Sequence, residues 1–132
     1  MQLSVAARNA VLDALETLIG ASPVLEIRSG AAPANCAAAD AGNVLVSMTL
    51  PADWLGDASG GSKSLAGSWQ DPAADLTGTA GHYRIKSSGG TCHVQGTVSA
   101  TGGSGELQLD DDDVVAGQLV TITTAAFGSG NA

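Results

Sequence analysis

Few residues in this chain are of the types and spacings that do chemistry. His82 and His93 are the only histidines. They lie in two alternating segments, TGTAGHYRIKS and TCHVQGTV, which read as paired strands, and each falls on the polar, outward face. Two adjacent imidazoles would suit a metal pair or a general base. A zinc site needs three or four ligands and a supporting shell of hydrogen bonds, and no carboxylate stands at a spacing that supplies them. Both therefore read as surface histidines. Asp110, Asp111, Asp112 and Asp113 form the densest charge run, and consecutive carboxylates suggest calcium. A calcium loop of the helix-loop-helix type alternates its ligands and ends in glutamate, which DDDDVVAGQ does not. Neighbouring side chains on an extended chain point opposite ways, so at most two of the four share a face. The run reads as a solvated acidic turn.

Nucleophilic catalysis needs a base beside the nucleophile and a third group to orient it. The serines are many, but no GxSxG elbow is present. TGTAG (residues 77–81) and TGGSG (residues 101–105) lack the spacing of a phosphate loop or a dinucleotide fingerprint and read as turns. Trp54, Trp69, Tyr83 and Phe127 are too few for a carbohydrate-stacking platform and are expected in the core. Cys36 and Cys92 allow one disulfide, but two cysteines make no framework. A buried free thiol suits Cys92 in its alternating strand. The chain is read as a non-enzyme with no cofactor and no metal.

The residues must be positioned by a small scaffold. At 132 residues the chain is one domain. With 3% aromatics its core is built from Val, Leu, Ile and Ala, and eighteen glycines suit a β-protein with many tight turns. A net charge of −8 argues against direct binding to nucleic acid and to anionic membranes. No run of about eighteen apolar residues marks a membrane span. Arg8, Asp13 and Glu16 interrupt any signal-peptide core near the N-terminus. The expected location is the cytosol, unless the chain leaves within a larger assembly.

SVAARNAVLDALETLIG reads as a helix over residues 4–19, with Ser4 as N-cap, Gly20 as the stop and Pro23 just beyond. Residues 24–127 read as about seven or eight short strands separated by turn signals, and residues 128–132 as a flexible tail. Leu25 and Ile27 point inward, as do Tyr83 and Ile85. Glu26, Arg28, His82, Arg84 and Lys86 point outward. Cys92, Val94 and Val98 are placed on one face of their strand. Residues 64–70 read as a weaker strand. Two long connections, residues 29–43 and 52–63, are exposed loops of the kind that carry function. The pattern predicts a mainly β fold: an antiparallel, jelly-roll-like β-sandwich with one N-terminal helix.

Val5, Val11, Leu12, Leu15, Leu18 and Ile19 give the helix an apolar arc wider than a thin sandwich covers. They form a candidate interface for a homo-oligomer, a trimer or a dimer. The competing reading is a helix that caps its own sandwich in a monomer.

The order AARNAVLDAL, IRSGAAPANC, NVLVSMTLP, TGTAGHYRI, GGTCHVQGTV and a closing AGQ-x-V-x-I strand resembles a group of small tailed-bacteriophage virion proteins. The resemblance covers nearly the whole chain. It implies a structural component of the virion, foremost a capsid decoration or cement protein on the major capsid protein, assembled in the host cytoplasm. A neck, tail or fibre-associated binding module is the alternative. No catalytic residues come with the resemblance. The loops at residues 29–43 and 52–63 become candidate gripping elements.

Overall fold

The computed structural model describes residues 1–130. Helix α1 spans Val5–Ile19. Its first turn is closed by Ser4, whose Oγ accepts the Ala7 N–H at 3.1 Å. Its last turn ends at Gly20, where φ is +85° and the backbone N–H is donated to the Glu16 carbonyl. Nine strands follow: β1 Val24–Ser29, β2 Val44–Thr49, β3 Ser62–Ser64, β4 Gln70–Asp71, β5 Gly78–Lys86, β6 Cys92–Ala100, β7 Leu107–Leu109, β8 Asp113–Val114 and β9 Val120–Gly128. The protein is thus mainly β with one N-terminal helix.

The strands form one curled sheet in the order β2-β1-β5-β6-β7-β9-β3, with β4 also paired to β9 and β8 to β5. After β4 the chain returns to the β2 edge, where the Leu45 carbonyl accepts the Asp75 N–H at 2.8 Å. The expected β-rich fold is thus built as one continuous, curled sheet. One pairing, β6 with β7, is parallel. Parallel neighbours ordinarily need a long crossover. Here the chain doubles back within residues 101–106 because glycines let it lie against the end of β6. A Cβ at Gly103 would collide with Ser99, and one at Gly105 with the backbone of Val98 and Ser99. The segment that reads as a turn is therefore a compact reversal between parallel strands.

Strand alternation gives the sheet two faces. Leu25, Ile27, Tyr83 and Ile85 are fully buried on the inner face. The four aromatic residues collect there: Trp54 meets Trp69 and Phe127 at ring-centre distances of 6.1 and 6.5 Å, and Tyr83 meets Phe127 at 6.2 Å. Both indoles are satisfied, Trp54 donating to the Gly20 carbonyl and Trp69 to the Ala66 carbonyl. Leu12 and Ile19 of α1 are buried, and Leu15 packs against the core.

Three elements depart from the sequence reading. Residues 64–70 are not one strand: β3 and β4 flank them, each borrowing β9 as partner. The short β8 begins at the last residue of the acidic run, where Asp113 pairs with Thr79 of β5. The chain end is tied rather than loose at Ser129, which donates its N–H to the Gly61 carbonyl and accepts the Arg8 Nε–H at 2.7 Å. The remainder of the expected tail, positions 131 and 132, lies outside the described residues.

Candidate functional site: a loop fastened over the outer face of the sheet

The outer face of β1, β5 and β6 carries Glu26, Arg28, Arg84, Lys86 and Gln95. As expected, they point away from the core. They are not free in solvent, because the loop of residues 30–43 lies across them. Arg84 is 2% exposed and Arg28 7%. Three of the chain's five basic residues converge on one loop carboxylate, Asp40. Arg84 donates to Asp40 Oδ1 at 2.7 Å, while Lys86 and Arg28 donate to Oδ2 at 2.8 and 3.1 Å. Glu26 accepts from Arg28 at 2.8 Å and from Lys86 at 3.1 Å. Arg84 also donates to the Asn35 and Ala38 carbonyls and to Gln95 Oε1. Gln95 in turn donates to the Pro33 carbonyl at 2.7 Å. The hydrogen bond from Lys86, with the one from Arg84 and the charge of Arg28, holds the Asp40 carboxyl below the usual carboxylate range against the opposing effect of burial.

A covalent bond completes the fastening. Cys36 in the loop and Cys92 on β6 form a disulfide, with Cα atoms 5.3 Å apart. This corrects the buried-thiol reading of Cys92. A β-bulge is the reason: Ile85 pairs with Val94 but Lys86 pairs with Cys92, so His93 is the extra residue. Strict alternation would leave Cys92 on the core side with Val94. The bulge carries it to the outer face, within reach of the loop.

The strand register separates the histidines. His82 lies opposite Thr97 on β6, so His82 and His93 do not form a pair. Nor is His82 a surface residue. It is 1% exposed, with Nδ1 2.9 Å from the Gly30 carbonyl and Nε2 buried without a hydrogen-bond partner among the described residues. The loop covers it, and no local pattern in the sequence shows that.

The acidic run differs as well. Asp111, Asp112 and Asp113 bring their carboxylates within 4.8 Å of one another, three groups rather than two. The chain bends here instead of extending. Asp111 accepts the Asp113 N–H, and Asp110 accepts those of Asp111 and Thr121, so these carboxylates serve as turn formers.

The helical arc divides in two. Leu12 and Ile19 are sealed in the chain's own core, whereas Val5, Val11 and Leu18 remain 52%, 50% and 65% exposed. The charged residues of α1 are all tied to the body of the protein, Asp13 from the edge of the solvent side with its side chain 60% exposed. Arg8 reaches Ser129, and Asp13 and Glu16 both bind Lys63, Asp13 at 2.6 Å. Lys63 is 4% exposed, so the end of the second long loop is a buried anchor rather than a free grip. Burial opposes its charge, but the hydrogen bonds that Lys63 donates to Asp13 and Glu16, with their negative charges, outweigh burial and raise its pKa. The solvent side of the helix is left with Ala10, Val11, Ala14, Thr17 and Leu18, none of them charged.

Asp40, Arg28, Arg84 and Gln95 escaped the sequence reading as a set. The available signal was a basic residue at successive outward positions of β5 and another on β1, in a chain with few bases. No family model matches the chain, and no curated protein or solved structure matches it.

Proposed function

We propose that this chain is a structural binding module of a bacteriophage particle, foremost a capsid decoration protein seated on the major capsid lattice. It acts by presenting a rigid surface rather than by catalysis. The observation that carries the reading is the uncharged, exposed flank of α1, with Val11 and Leu18 projecting from a helix that is otherwise locked down. Apolar side chains held out on a fixed support suit a protein contact. The Cys36–Cys92 bond supports it further. Disulfides persist on virions and in other oxidising settings and are rare in a reducing cytosol. A chain made in the host cytoplasm and carried out on a particle meets both conditions.

Quantitative mass spectrometry of particles purified from the source host tests this. A decoration role requires a fixed, high ratio of this chain to the major capsid protein. A handful of copies per particle places it instead at the neck, tail or fibre. Its absence from particles overturns the proposal.

A further inference from the structure

We propose that the floor beneath the loop of residues 30–43 is a carboxylate-binding site which the chain fills with its own Asp40, and that reduction of the Cys36–Cys92 bond by a dithiol opens it to a carboxylate of a protein partner. The inference does not depend on which particle the chain belongs to. It rests on a difference in construction between floor and cover.

The floor is built on rigid strands. Glu26 and Arg28 stand on β1, Arg84 and Lys86 on the central β5, and Gln95 on β6. Three cationic side chains converge from neighbouring strands onto the two oxygens of one carboxylate. Arginine forks and a lysine ammonium are the groups that recognise such an anion. Without Asp40, Arg28 and Lys86 would keep Glu26 as their carboxylate partner, and Arg84 would be left with the neutral acceptors of Asn35, Ala38 and Gln95. Arg84 is 2% exposed, and its Nε is buried with no partner among the described residues. The guanidinium is thus aimed at the seat and not fully used by the fold.

The cover is built differently. None of residues 30–43 is buried; all are exposed or half-buried, and the apolar ones are alanines, a proline and a cysteine. No large side chain anchors the loop in the core. It is held by Asp40, by carbonyls that accept from Arg28, Arg84 and Gln95, by His82 at Gly30, and by the disulfide. Both cysteines are half-buried, so a thiolate can reach the bond. A dithiol supplies two electrons and two protons. The Sγ–Sγ bond breaks, Cys36 and Cys92 become thiols, and the reductant closes to its own disulfide. The polar contacts that remain are all exchangeable with water or with a competing anion. The carboxylate itself is the ligand chemistry indicated, because a carboxylate is what the seat holds now.

Two measurements on the full chain test the proposal. In the first, Asp40→Ala vacates the seat while the disulfide keeps the loop in place. Acetate should then raise the thermal midpoint saturably, beyond the effect of equal chloride, and leave the wild-type midpoint unchanged. No acetate-specific rise overturns the site, and a stronger response to inorganic phosphate overturns its assignment to carboxylates. In the second, the peptide ANSAAADAG, residues 34–42 with Ser for Cys36, is titrated into oxidised and dithiothreitol-reduced wild-type protein. Backbone amide exchange is followed in parallel. Reduction should deprotect Ala37, Ala38 and Asn43, leave β1 and β5 protected, and increase peptide affinity at least tenfold. The increase should disappear in Arg84→Gln. Equal affinity in both states, unchanged protection of the loop, or unfolding of the whole chain on reduction each overturn the latch. Cys36→Ser repeats the second measurement without reductant should Asp40→Ala not fold.

Discussion

At the scale of the residue, two ion clusters link stability to pH. Asp40 has its pKa lowered by the hydrogen bond from Lys86 and the one from Arg84, with the charges of Arg28 and Lys86, against burial. A depressed carboxyl contributes stability above its unfolded value of 3.8, and that contribution is lost as pH falls through the lower folded value. Asp40→Asn should therefore lower the denaturation midpoint at neutral pH and flatten its acid dependence below pH 3.8. Chemical denaturation between pH 2 and 7 reads both effects. Lys63 behaves oppositely. Its pKa is raised despite burial, so its contribution is complete below pH 10.5 and is lost as pH rises through the folded value. Tyr83 adds to the alkaline limb, since burial, with the nearby Glu106, keeps its phenol protonated in the folded state. Lys63→Met should cost about 1–3 kcal/mol at pH 7, because Asp13 and Glu16 lose a buried cation. The alkaline transition should be shallower in this variant, and a midpoint series from pH 8 to 12 would show it.

At the scale of the element, local rules account for some segments and not for others. Ser4, Gly20 and the spacing of Leu12, Leu15 and Ile19 make α1 legible from end to end, because capping and helical periodicity are local. Period-two alternation likewise places Leu25, Ile27, Tyr83 and Ile85 inside. It fails at His93, where the bulge reverses the facing of Cys92 without any glycine or proline to mark it. It fails again at residues 101–106, where the identical vocabulary of Thr, Gly and Ser serves for a hairpin turn and for a parallel reversal. The Asp40 cluster was illegible for a different reason. Its members come from β1, β5, β6 and a loop, and only the tertiary pairing brings them together. The reversal makes its own prediction. A Cβ at Gly105 has no room against the backbone of Val98 and Ser99, and backbone cannot swing aside as a side chain can. Gly105→Ala should cost about 1–3 kcal/mol. Amides of β7 should lose hydrogen-exchange protection before those of β1 and β5, which a residue-resolved exchange experiment would detect.

At the scale of the whole molecule, the question is what meets the outer flank of α1. One side of the helix is committed to the fold through Leu12, Ile19 and the Lys63 cluster. The other side exposes Val11 and Leu18 with alanines between them and no charge to favour water. A stable protein interface covers roughly 800 Å² on each partner. Two aliphatic side chains and a strip of alanines make up only a fraction of that, so the flank alone supports weak pairing of free molecules and needs more surface for tight binding. A lattice that engages the rest of the protein supplies such surface, and many adjacent copies multiply weak contacts. Two substitutions separate the two sides of the helix. Leu12→Ala empties buried core volume and should destabilise the chain by about 2–5 kcal/mol. Leu18→Glu adds a charge where the side chain already meets solvent and should change stability by less than about 0.5 kcal/mol. Sedimentation velocity over micromolar to millimolar concentrations should show reversible self-association of the wild-type chain, abolished by Leu18→Glu. A mass that stays monomeric at every concentration, in wild type and variant alike, would remove self-pairing of free molecules through this flank.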